Sequence, residues 1–184
     1  MDYTLFFSRV LSLQQDESTR QKFLQNGPRR ITRFNLATGR ADRQVTYVPQ
    51  PRPRAPGVPE LFQVNGISDL LVAGEDRLWV LERAFFPLLG FRVRLYEAQL
   101  PGATDTLQLD TLTADNHVPT NKRLLLDLNQ IGLPVVDNFE AMSWGPMLAN
   151  GNRSVVLATD DNFMRMQVTQ FLALEVLPPD GGVA

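Results

Sequence analysis

The stretch NGISDLLVAGEDRLWVLERAF, residues 65–85, decides the fold of this 184-residue chain. Two apolar runs, 67–72 and 78–83, flank the turn Gly74-Glu75-Asp76, and each is too short for a stable helix. Together they predict an antiparallel pair of strands. Within the second run, Leu78-Trp79-Val80-Leu81 is continuously apolar, the pattern of a strand covered on both faces.

The same punctuation continues on both sides. Downstream, residues 92–100, 106–112 and 122–128 each read as a strand, with turns around 87–90 and at Pro101-Gly102. In Arg92-Val93-Arg94-Leu95-Tyr96-Glu97 polar and apolar residues alternate, as in a strand with one wet face. A last set spans 141–144, 154–159 and 170–176, divided by Gly145-Pro146, Asn150-Gly151-Asn152 and the loop 160–169. Upstream, 31–36 and 44–48 form a hairpin across 37–40, and residues 49–59, PQPRPRAPGVP, are a proline-dense connector excluded from helix and central strand. Only residues 3–25 could be helical in part. The 12 glycines and 13 prolines fall between short apolar runs, so the expected class is all-β.

Two parts of the chain repeat. One unit opens at Asn65 with Asp69 close behind and ends at Glu82-Arg83. The other opens at Asn138 with Glu140 close behind and ends at Asp160-Asp161-Asn162-Phe163. An alternating strand follows each. This predicts a partial β-propeller of about two and a half four-stranded blades, whose first strands line a common axis. A β-sandwich is the alternative that the same spacing permits. The expected organisation is an N-terminal segment at 1–25, weakly structured or an edge strand, a propeller portion at 26–177 and a disordered tail at 178–184. Since a propeller closes with about four to eight blades, the open edges are expected to self-associate or to meet a missing N-terminal half.

Composition narrows the chemistry. With no cysteine and one histidine, disulfides, thiolate metal clusters, cysteine nucleophiles and most histidine metal sites are excluded. No run approaches the roughly 18 apolar residues of a membrane helix, and the N-terminus lacks the basic start and cleavage site of a signal peptide. The net charge of −2 hides an asymmetry: residues 1–54 hold ten Lys/Arg against four Asp/Glu, and the remainder is acidic. No aromatics interleave with the basic residues, so a solvated hairpin and linker is expected rather than a nucleic-acid platform.

The motifs Gly66-Ile67-Ser68-Asp69, Leu81-Glu82-Arg83, Leu95-Tyr96-Glu97, Lys122 before a leucine-rich strand, Asn138-Phe139-Glu140-Ala141, Asp160-Asp161-Asn162-Phe163 and Thr169-Gln170-Phe171-Leu172-Ala173 resemble the phytase-like family, described as esterase-like activity of phytase. The resemblance runs from about Leu13 to Val176, and departs at Ala141, where the family usually has glycine. It implies the C-terminal half of a propeller about twice this length, in a family whose members resemble exported or periplasmic bacterial proteins. It also implies a small phosphorylated or ester substrate.

Asn65, Asp69, Asn138, Asp160, Asp161 and Asn162 offer oxygen ligands for a divalent cation such as Ca²⁺, which takes six to eight oxygens. Such an ion could polarise an ester oxygen without a histidine. Glu82, Arg83, Lys122 and Glu140 are the expected catalytic set, the two cations clamping anionic oxygens. The alternative is that these charged strand ends pair with each other and with turn amides to hold adjacent sheets, leaving a non-catalytic binding or scaffold module. A serine triad is not expected. Ser68 lacks the second glycine of a nucleophile elbow, and His117 lies in a loop.

Overall fold

The computed structural model describes residues 5–8, 27–51, 64–86 and 89–177. Over these residues the chain is all-β. Strands β1 (Leu5–Ser8), β2 (Arg29–Asn35) and β3 (Arg40–Tyr47) make a first antiparallel sheet. Strands β4 (Val64–Gly74), β5 (Arg77–Phe86), β6 (Gly90–Gln99) and β7 (Asn121–Asp127) make the middle one. Strands β8 (Ala141–Trp144), β9 (Arg153–Thr159) and β10 (Gln170–Val176) make the third. One turn of 3-10 helix, Leu128–Gln130, follows β7. None of the sheets closes on itself.

Each sheet is a run of consecutive antiparallel neighbours, because short turns join its strands. At the β2–β3 turn, Asn35 Oδ1 accepts from the Ala37 and Thr38 amides, and Gly39 takes φ +65°, a conformation that costs a glycine little. Leu78, Val80 and Ala98 of the middle sheet, with Leu100 just past β6, pack against Ile31, Val45 and Tyr47 of the first. From the opposite face Trp79, Leu81, Val93 and Leu95 pack against Met142, Val155 and Leu157 of the third. That is why Leu78-Trp79-Val80-Leu81 carries no polar residue. Each such side chain contributes about 1.5–3 kcal/mol on burial, so β5 anchors both interfaces.

The three sheets stack face to face, an arrangement consistent with neighbouring propeller blades, and the first strands keep company: β4 touches β1 and β8. Two contacts stitch β4 to β8. Asp69 Oδ2 accepts from the Met142 amide at 2.6 Å, and Trp144 Nε1 donates to the Val72 carbonyl at 2.9 Å. Both fall at or next to β-bulges of β4, where the extra residue turns a group outward.

Two local expectations change. Residues 106–112 are not a strand. They belong to an excursion between β6 and β7 that lies along the outer edge of β3, with Thr106 N donating to Gln44 O at 2.7 Å and Thr120 N to Thr46 O at 2.8 Å. Side-chain bonds from Asp105, Thr104 and Asn116 to nearby amides hold it in turns, so a ladder does not form. In the segment 3–25, where some helix was expected, Leu5–Ser8 is a strand paired with β2. The rest of that segment beyond Leu5–Ser8, most of the proline connector and the tail at 178–184 lie outside the described residues.

Candidate anion-binding site

Alternate residues of a strand point to opposite faces, and this divides the expected catalytic set. On β5, Glu82 shares the face of Leu78 and Val80 and points toward the first sheet, while Arg83 points toward the third. Lys122 joins Glu82: its Nζ is 2.8 Å from Glu82 Oε1 and 2.7 Å from the Val48 carbonyl. The same ammonium sits over the rings of Tyr47 and Tyr96, 4.7 and 4.5 Å from their centroids. Arg83 instead bonds Asn138 Oδ1 and, at 2.8 Å, Glu140 Oε1, with its guanidinium near the Phe91 ring. The two pairs therefore occupy opposite sides of the middle sheet.

Glu82 is 2% exposed and saturated with donors. Oε1 accepts from Tyr47 Oη at 2.6 Å and from Lys122, and Oε2 from the Gln50 amide at 2.9 Å and from Asn65 Nδ2 at 3.5 Å. Four donors use the acceptor positions of a carboxylate, so Glu82 ties Tyr47, Lys122, Gln50 and Asn65 together. Asn65 Nδ2 also reaches the Gln50 carbonyl. The chain leaving β3 is thus pinned at Val48 by Lys122, and at Gln50 through both its N–H and its C=O. Burial and then the Glu82 charge push the Tyr47 hydroxyl well above the ordinary tyrosine range, and the same two causes raise Tyr96.

Beside this cluster opens a cavity of about 150 Å³. Gln50, Pro51 and Asn65 form one side, Ala84 and Phe86 the apolar part, and Glu82, Arg92 and Arg94 the charged part. Register explains the grouping: Glu82 lies opposite Arg94 and Ala84 opposite Arg92 across β5 and β6. Asp127, at the end of β7, holds both arginines. Its Oδ2 accepts from Arg92 Nη2 at 2.8 Å and Arg94 Nε at 2.9 Å, while Oδ1 accepts from the Asn129 amide. Burial pushes the Asp127 carboxyl upward, but the Arg92, Arg94 and Asn129 bonds outweigh it and hold it below the usual carboxylate range. Burial opposes the charge of Arg94 too, and its bonds to Asp127 and Tyr96 more than offset this. Three cations (Arg92, Arg94, Lys122) face two carboxylates here, and guanidinium forks suit planar or tetrahedral oxyanions.

The oxygen ligands expected for a cation are dispersed. Asn65 is in the cavity wall and Asp69 is bonded to the backbone amides of Leu70 and Met142. Asn138 meets Arg83. Asp160 and Asp161 accept from the Asn162 and Phe163 amides within their own loop, where Asn162 also bonds Gln167. Among the described residues no three of His, Cys, Asp and Glu converge as a metal-ligand group. Ser68 Oγ donates to the Leu81 carbonyl and His117 pairs with Asn116. No helix of the described residues is long and apolar enough to cross a membrane.

Sequence reading missed Tyr47, Gln50, Arg92, Arg94 and Asp127. The alternation of Arg92 and Arg94 with Val93 was a usable signal that both arginines share a face. Tyr47, Gln50 and Asp127 carried none, because only sheet stacking and strand pairing bring them in.

A family model described as phytase-like, esterase-like activity of phytase, matches residues 2–163, which takes in β1 to β9 and the whole cavity. The closing strand β10, part of the resemblance read from sequence, falls beyond that match. No curated protein matches the chain. No solved structure matches it either. Since the matched span covers far more than half of the 184 residues, the chain belongs to the phytase-like family.

Proposed function

We propose that the chain is a phytase-like, esterase-like domain that takes the anionic end of a phosphate or carboxylic ester into the Arg92–Arg94 cavity. The observation that carries this is the pair of guanidinium groups on one cavity wall, held in place by Asp127. Arg92 and Arg94 bind the oxyanion, Asn65 and Gln50 orient it, and Glu82 with Lys122 keeps the wall rigid. Hydrolysis is the activity that family membership suggests, and a divalent cation supplied with the substrate would assist it as a Lewis acid.

Calorimetric titration with inorganic phosphate and inositol hexakisphosphate tests binding. Turnover of nitrophenyl phosphate and nitrophenyl acetate, with Ca²⁺ or with chelator, tests catalysis. An Arg92→Met/Arg94→Met double variant should lose about 100-fold or more in affinity, since each charge-assisted bond contributes about 1.5–3 kcal/mol. Wild-type protein indistinguishable from that variant in every assay overturns the reading. A second reading, binding without turnover, draws support from the saturation of Glu82 and from Ser68 being bonded to Leu81. Anion binding that is lost in the double variant, with no turnover under any condition, selects it.

A further inference from the structure

The outer edges of the three sheets are treated differently. In the middle sheet β7 fills the fourth position, and in the first sheet the 101–120 excursion covers the edge of β3 through Thr106 and Thr120. In the third sheet β10 has β9 on one side, and among the described residues no strand pairs with its other edge. That edge also lacks the usual protections. It runs seven residues, Gln170-Phe171-Leu172-Ala173-Leu174-Glu175-Val176, in unbroken register with β9, without proline, lysine or bulge. Phe171 is 77% exposed and Leu177, just beyond it, 68%.

We infer that the free edge of β10 pairs antiparallel with β10 of a second copy of this chain, joining two third sheets into one six-stranded sheet. The sequence of β10 is self-complementary about Ala173. Centred there, Leu172 faces the partner's Leu174, Gln170 faces the partner's Val176, and Phe171 faces the partner's Glu175. Glu175 is the one charge on the strand, and this register never sets it against its own copy, so no like charges meet. Its carboxylate is already held by Asn150 Nδ2 at 2.6 Å and Asn152 Nδ2 at 2.7 Å, which leaves the Phe171 ring free to cover its carbon stem. Leu172, Leu174 and Val176 keep their places against the core between the middle and third sheets, so pairing requires no repacking.

Strand pairing alone falls short of the roughly 1,200 Å² of a standard interface, so the dimer is weak and sedimentation equilibrium should span about 5–500 µM. The expected result is a reversible monomer–dimer equilibrium. Ala173 is exposed and meets its own copy at the two-fold axis, so Ala173→Lys and Ala173→Glu each place like charges together. Each should weaken self-association by about tenfold or more, and an equimolar mixture of the two should restore it as a heterodimer. In the wild type, β10 amides should exchange more slowly as concentration rises. A wild-type monomer across the whole range, substituted chains that dimerise as well as wild type, or a mixture that stays monomeric each overturns the inference.

Discussion

Replacing Lys122 with methionine isolates the buried ion pair that ties the middle sheet to the chain leaving β3. Methionine keeps most of the apolar stem against Tyr47 and Tyr96 but removes the ammonium 2.8 Å from Glu82 Oε1. Glu82 stays in place, its side chain 2% exposed, with Tyr47 Oη, the Gln50 amide and the more distant Asn65 amide as its remaining donors. Removing one partner of a buried pair costs about 3–5 kcal/mol. Lys122 is 18% exposed, and hydrogen bonds from Tyr47 and Gln50 persist, so the expected loss is at the low end, about 3 kcal/mol. With a urea m-value of about 2 kcal/mol/M, the unfolding midpoint should fall by about 1.5 M without a change in slope. Adding Glu82→Gln to Lys122→Met should recover part of that loss, because a neutral amide no longer strands a charge. A double-mutant cycle by urea denaturation measures the coupling. A loss below about 1 kcal/mol for Lys122→Met, the range of a surface ion pair, refutes the reasoning.

Three further outcomes are expected. Burial and Glu82 raise the Tyr47 pKa in the folded state, so the stability this contributes is complete below the unfolded tyrosine value of about 10 and is lost as pH rises beyond it. Tyr47→Phe should therefore flatten the alkaline limb of a stability–pH curve, while costing about 1.5–3 kcal/mol near neutrality for the lost bond to Glu82. Asp127 is depressed in the folded state, so its contribution is present above the unfolded aspartate value of about 3.9 and disappears as pH falls through the lower folded value. Asp127→Asn should remove that acid dependence, cost about 1–2 kcal/mol given the 40% exposure of Arg92, and weaken phosphate binding in calorimetry by loosening both arginines. Glu140→Gln should change stability by less than about 1 kcal/mol and leave phosphate binding as in wild type, because its partner Arg83 lies across the middle sheet from the cavity. A loss of phosphate binding in Glu140→Gln would instead place the two stations in one site.

Secondary structure was legible because its causes are local. The glycine and asparagine turns, the alternation in residues 92–97 and the apolar run 78–81 each predict their element from a few neighbouring side chains. Residues 106–112 were misread for the same reason: an extended apolar-polar pattern looks like a strand until polar side chains around it are seen accepting from nearby amides. The candidate site was legible only in part. Glu82 is recognisable as a charge on a strand expected to be buried and Lys122 as a charge opening a leucine-rich strand, and the two meet beside the cavity. Grouping them with Arg83 and Glu140 ignored the two-residue period of a strand, which sends Glu82 and Arg83 to opposite faces.

Local sequence thus determined an all-β chain, most of its turns, and a β5 apolar enough to be buried from both sides. It could not determine what β5 would be buried against. Tyr47 reaches Glu82 from 35 residues away, and Asp127 reaches Arg92 from 35 in the other direction. Those meetings depend on which sheet stacks on which face and on the register of β5 against β6, quantities set by the packing of two whole cores at once. The cavity exists because that packing leaves two arginines and a saturated glutamate on one wall, an outcome that belongs to the tertiary structure alone.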